Sequence, residues 1–167
     1  MKNALTNFIS VTILILSSVS GFSERVFISG DEIASLEKSG RLIKTGLDSW
    51  KTRGGLVIKG RDPAGITRLE HIMRHSVNIE KRKKHGVFSI GKPEIIDLMD
   101  RTWTEIKSGR INGNSRGGRT AYTYRTGAVV GYMGGRAGKG GGRQNLKSVR
   151  IVIKDGTPEV VTFFPIK

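Results

Sequence analysis

Two β-rich runs, Val149 to Lys154 and Glu159 to Ile166, are joined across Asp155-Gly156, and no other feature restricts the fold of this chain as strongly. An Asp-Gly pair tolerates the positive backbone angles of a tight turn, so the two runs are expected to pair as an antiparallel hairpin. The apolar face of such a hairpin needs cover. Ile95, Met99, Trp103 and Ile106 supply it as one stripe of a helix opened by Pro93 and Glu94 and closed near Ser108-Gly109. A further helix is expected from Arg61-Asp62-Pro63, an N-cap candidate followed by Pro at the first helical position. Its apolar residues Ile66, Leu69, Ile72 and Met73 carry it to about His75. Asp31 to Lys38 reads as a short helix and Leu56 to Lys59 as an extended stretch. Between Gly109 and Arg143, short strands around Tyr122 to Arg125 and Val129 to Tyr132 are separated by glycine-rich, basic loops. Helices first and strands afterwards define an α+β fold, N-terminal helices packed on a C-terminal twisted antiparallel β-sheet.

Lys2 precedes an apolar run from Val11 through Leu16, followed by Ser17, Ser18 and Ser20, the pattern of a signal peptide over residues 1–22. That run is short for a membrane span, so the expectation is a secreted or periplasmic protein with no stable membrane insertion after cleavage. Residues 23–53 then read as a lead-in segment and 54–167 as the functional domain. Without cysteine, an exported chain gains nothing from disulfides and is stabilised by packing alone.

The charge of +15, from 29 Lys plus Arg against 14 Asp plus Glu, points to a polyanionic partner. Nucleic acid, an anionic membrane surface and an acidic protein all meet that condition, because Coulomb attraction reads only sign. The chemistry must therefore be sought in particular residues.

All three histidines, His71, His75 and His85, fall within fifteen positions and outside the apolar stripe of the first expected helix. His71 and His75, four apart, project from one helix face, and the loop before His85 is long enough to fold back on them. Two imidazoles serve as base and acid in RNA cleavage: one takes the 2′-hydroxyl proton, the other protonates the leaving 5′-oxygen, and no metal or other cofactor is required. Arg125, Lys84 or Thr162 are candidates to stabilise the extra charge on the pentacoordinate phosphate. The bland alternative leaves the histidines as solvated helix and loop positions. Zinc is a third reading, with His71, His75 and His85 as ligands, although Ile72 occupies the place of a metalloprotease's glutamate.

The run from Gly134 to Arg143 resembles a phosphate loop only superficially, since Gly140 follows Lys139 where Ser or Thr belongs. A basic loop embracing an RNA backbone is the better expectation, with Arg136, Lys139, Arg143 and the nearby Lys84 as RNA-binding residues. The rival is a non-catalytic cationic binder of nucleic acid or anionic surfaces.

Arg68 to Ser76, with Glu70-His71 and His75, is followed by His85-Gly86-Val87-Phe88, by Ile95 to Trp103, by Val149-Arg150-Ile151-Val152 and by Val161 to Pro165. This series resembles the C-terminal RNase-type domains of bacterial polymorphic toxins, within the barnase, EndoU, colicin and RelE-like superfamily, over roughly residues 54–167. The resemblance implies metal-independent endoribonuclease activity, with His75 and His85 transferring protons, His71 supporting and Thr162 contacting phosphate. It also implies a cognate immunity protein as partner and action in a target cell's cytoplasm. Phe163-Phe164 stands where that group carries Ala-Tyr, so a hydroxyl is missing here.

Overall fold

The computed structural model describes residues 27–139 and 143–167; the expected signal peptide and Gly140 to Gly142 lie outside them. Helix α1 (Gly30–Lys38) begins at Ser29, whose side chain and that of Glu32 form a reciprocal capping box. A three-stranded meander follows, β1 (Leu42–Gly46), β2 (Ser49–Thr52) and β3 (Val57–Lys59), all antiparallel. Next come helix α2 (Arg68–Met73), continued by a 3-10 turn over Arg74–Ser76, strand β4 (His85–Phe88) and the long helix α3 (Lys92–Lys107). Strands β5 (Gly113–Arg116), β6 (Arg119–Arg125), β7 (Gly131–Gly134), β8 (Asn145–Leu146), β9 (Ser148–Lys154) and β10 (Val160–Ile166) complete the chain. They form a four-stranded sheet in the order β10-β9-β6-β5 and a three-stranded sheet in the order β4-β7-β8, both antiparallel. The architecture is α+β.

The hairpin across Asp155-Gly156 forms, with Gly156 at φ 70°. Helix α3 carries Pro in its first turn and ends on Ser108 with Gly109 at φ 73°. The start of α2 differs from the expectation. Asp62-Pro63-Ala64-Gly65 is a tight turn, closed by the Gly65 N–H on the Asp62 carbonyl at 2.9 Å, and the helix begins five residues later than expected, at Arg68, on a Thr67–Glu70 capping box. Asp followed by Pro marks a turn as strongly as a helix start, and Gly at the fourth position decides for the turn.

Alternation assigns the two faces of the four-stranded sheet. Val149, Ile151, Ile153 and Phe163 are buried on its inner face, in one cluster with Ile95 and Met99 of α3 and Leu69, Ile72 and Met73 of α2. Leu36, Leu42 and Trp50 of the N-terminal segment belong to that same cluster. Outer-face residues Thr123, Arg125 and Arg150 are exposed.

Asp100 of α3 joins the helix to the meander, accepting hydrogen bonds from the Thr52 hydroxyl and, at 2.8 Å, from the Gly54 N–H. Asp100→Ala strands both donors and is expected to cost about 2 kcal/mol in a urea titration at neutral pH. An unchanged midpoint would show that the strut contributes nothing.

Candidate active site

The Asp62 turn, α2 and β10 converge on one hydrogen-bonded chain. His71 Nδ1 lies 2.7 Å from Asp62 Oδ2, and His71 Nε2 lies 3.2 Å from Thr162 Oγ1. Asp62 is held for this by its own turn, where Oδ1 accepts the Ala64 N–H at 2.8 Å. Burial by itself would raise the Asp62 carboxyl, but the His71 and Ala64 hydrogen bonds outweigh it and hold the group below its usual range. An ionised Asp62 fixes the proton of His71 on Nδ1 and leaves Nε2 as an acceptor facing the Thr162 hydroxyl. Arg74 Nη2, 3.1 Å from Nδ1, then acts as a neighbouring charge, since a protonated Nδ1 has no lone pair to offer. Burial lowers His71 below the ordinary imidazole value, against the pull of Asp62, so the ring is neutral at pH 7.

Thr162 reaches this position through a bulge. The β9–β10 register shifts between Val160 and Thr162, and Arg68 of α2 donates to the Val161 carbonyl at 2.9 Å. Bulges re-aim the side chains that follow them, and here Thr162 and Phe164 both face outward toward α2 and its 3-10 turn.

His75 is sandwiched between His85, at 4.8 Å between ring centroids, and Phe164, at 5.3 Å. Its Nδ1–H donates to the Gly86 carbonyl at 2.9 Å, and Nε2 has no hydrogen-bond partner among the described residues. Burial brings His75 down to about 3, with His85, His71 and Arg74 adding in the same direction. His85 donates from Nε2 to the Val77 carbonyl at 3.0 Å, while its Nδ1 is buried without a geometric partner. Burial lowers His85 as well, opposed by the Val77 and Arg74 carbonyls. The close approach of β4 to β10 requires Gly86, because a Cβ there would strike the Pro165 carbonyl.

Arg74, Arg82 and Lys84 complete a cleft of about 400 Å³ with the three histidines, Thr162 and Phe164. A larger depression, about 710 Å³ between the end of α3 and the β9–β10 hairpin, holds a single carboxylate, Asp155, which accepts the Thr120 hydroxyl at 2.5 Å. It has no pair of groups suited to act as base and acid, whereas the smaller cleft gathers three imidazoles.

His71, His75, His85, Thr162 and Lys84 are thus brought together, and the other expected site residues are not. Arg125 borders a separate depression on the sheet with Lys147 and Lys167, although Lys167 also borders the histidine cleft. Arg136 begins a turn whose N–H groups tie it to the Arg82 and Lys83 carbonyls, buttressing the loop that carries Lys84. Lys139 pairs with Glu80 at 2.8 Å, and Arg143 lies over Tyr132 at 4.7 Å. Asp62, Arg74 and Arg82 are the residues that sequence reasoning passed over. Asp62 stands where the sequence suggests a helix cap, and nothing in local spacing links it to His71 nine residues on.

The rings do not converge on a point as metal ligands would: two of them stack, and their nitrogens address different carbonyls. Among the described residues no group of three or more histidine or carboxylate side chains is placed to hold a metal ion. No helix among them is long and apolar enough to cross a membrane. Comparison with protein-family models, with curated proteins and with solved structures finds no match for this chain.

Proposed function

We propose that this cleft cleaves RNA without a metal, by transesterification to a 2′,3′-cyclic phosphate, in the manner of the polymorphic-toxin RNases that the motif series resembles. The observation that supports it most is the Asp62–His71–Thr162 chain opening into a cationic cleft beside His75. His71 Nε2, neutral and held by Asp62, takes the proton of the ribose 2′-hydroxyl. The 2′-oxygen then bonds to phosphorus as the bond from phosphorus to the 5′-oxygen breaks, and His75 Nε2 delivers a proton to that oxygen.

His75 is neutral in the free protein, but an anionic phosphate beside it favours the imidazolium, so substrate binding arms the acid. Arg74, Arg82 and Lys84 stabilise the phosphorane charge, and the Thr162 hydroxyl donates to one of its oxygens once His71 turns to the substrate. His85, expected beside His75 as the second proton-transfer residue, has both nitrogens turned inward, so in this proposal His71 takes the base's role and His85 is a positioning residue that holds His75 by stacking. Export through the N-terminal segment and a cognate immunity protein belong to the same proposal, since an unrestrained RNase endangers its producer.

The test is incubation with a labelled RNA oligonucleotide in excess EDTA, beside the same oligonucleotide carrying a 2′-deoxy residue at the cut position. Cleavage of the first alone, leaving a cyclic phosphate, is expected. Intact RNA that nevertheless binds in a salt-sensitive way would replace the enzyme with a cationic nucleic-acid binder.

A further inference from the structure

The chain's charge is unevenly distributed. Residues 106–167 hold 12 Lys and Arg against 2 acidic side chains, Asp155 and Glu159, a net +10 of the total +15. The fold collects much of this on one surface, because the pairing register sets Phe164 of β10 beside Arg150 of β9 and Arg150 beside Thr123 of β6. Arg119, at the far end of β6, is next to Lys154 of β9 and Arg116 of β5 on that same outer face. Arg116, Arg119, Arg150 and Lys154 are exposed, and none is in an ion pair among the described residues. Asn114, Thr123 and Arg150 border a depression of about 430 Å³ there. The nearest carboxylate, Asp155, is bonded to Thr120 on the opposite face of the sheet, so these unpaired cations repel one another, a cost to the fold that an anionic ligand removes.

We propose that the outer face of the β10-β9-β6-β5 sheet is a track for single-stranded nucleic acid, running from the histidine cleft toward the Arg116–Arg119 hairpin. Phe164 marks where the two join: one side of its ring stacks on His75, and its strand neighbour across the register is Arg150. Successive strands lie about 5 Å apart, so the arginine rows extend about 15 Å from the cleft, a reach suited to several nucleotides of extended backbone. A cleft of about 400 Å³ has the size of a small-ligand pocket and admits a nucleotide or two, not paired strands, which makes the bound polymer single-stranded. A membrane surface is disfavoured because none of the exposed large apolar residues, Ile43, Leu47, Val77 and Val129, belongs to these four strands. The track's direction and the single-stranded form of its ligand rest on the cleft being the cleavage site; its binding of a polyanion does not.

Binding of a fluorescent single-stranded 2′-deoxy oligonucleotide, which lacks the attacking hydroxyl, tests the track without turnover. Arg119→Gln with Arg150→Gln is expected to weaken binding about tenfold near physiological salt and to reduce the slope of log affinity against log salt by about 1.4, two phosphate contacts at about 0.7 each. The charge-matched control, Lys38→Gln with Lys51→Gln on α1 and β2, should leave both unchanged. Equal weakening by the control, or wild-type binding by the arginine variant, overturns the track. Phosphatidylserine vesicles bound as tightly as the oligonucleotide, and released by the same arginine changes, would overturn it in favour of a membrane surface. Loss of binding in the arginine variant, with no RNA cleaved by the wild type, would leave the track standing and remove the nuclease.

Discussion

Replacing His71 by Ala is expected to lower RNA cleavage by about 10²–10⁴-fold, the ordinary worth of a positioned general base, with the fold retained. The ring is half-buried at the rim of the cleft, and its partners Asp62 and Thr162 belong to elements with other anchors, the turn closed by Gly65 and the β9–β10 ladder. Asp62→Asn supplies the discriminating variant. An amide offers Nδ1 either a weaker acceptor or a donor, so the proton is no longer fixed on Nδ1 and Nε2 ceases to be the defined base. Its effect should fall mainly on kcat, whereas a merely structural carboxylate would change thermal stability and leave turnover per folded molecule intact. Full activity of both variants would place the base elsewhere.

The second large effect is on stability in mild acid. His75 passes from an ordinary imidazole value of 6.5 when unfolded to about 3 in the fold, so the unfolded chain binds the proton more readily and stability falls as pH falls. The full benefit is present above about pH 6.5 and is lost progressively toward pH 3. From His75 alone the loss is about 2 kcal/mol at pH 5. His71 and His85, also lowered by burial, add to it with the same sign. Asp62, Glu32 and Glu105 are all held low and change little between pH 6.5 and 5, which isolates the histidines in that window. Urea titrations across it should show a steep fall for the wild type and a flatter one for His75→Gln. Identical slopes would mean that His75 is not buried as a neutral ring.

Much of the fold could be read from local pattern. The Asp155-Gly156 hairpin, α3 with its Pro opening and Gly109 ending, and α1 each declare themselves within one continuous stretch of sequence. Of the β1–β2–β3 meander, β3 is legible as the extended stretch Leu56 to Lys59, but β1 and β2 are not, because Lys44, Thr45 and Lys51 interrupt the apolar alternation and leave Leu42 and Trp50 as their isolated buried anchors. The gathering of the three histidines followed from their spacing. Asp62 did not, since Asp-Pro carries the same signal before a turn as before a helix, and its link to His71 depends on how the Asp62 turn docks against α2. The contact between His71 and Thr162 spans 91 residues, and only the order of motifs along the chain, not any local rule, hinted at it.

Strand β5 lies at the open edge of the four-stranded sheet, exposed along its whole length and paired on one side only. A bare edge of this kind is an invitation for another copy to add a strand, the first step toward aggregation. Here the hairpin tip carries Arg116 and Arg119, and neither β5 nor β6 has a carboxylate to offset them. Two copies approaching edge to edge would meet like charge against like charge. The arginines that draw in a polyanion therefore also hold copies of the protein apart, and a bound strand that neutralises them lifts that repulsion while covering the face beside it.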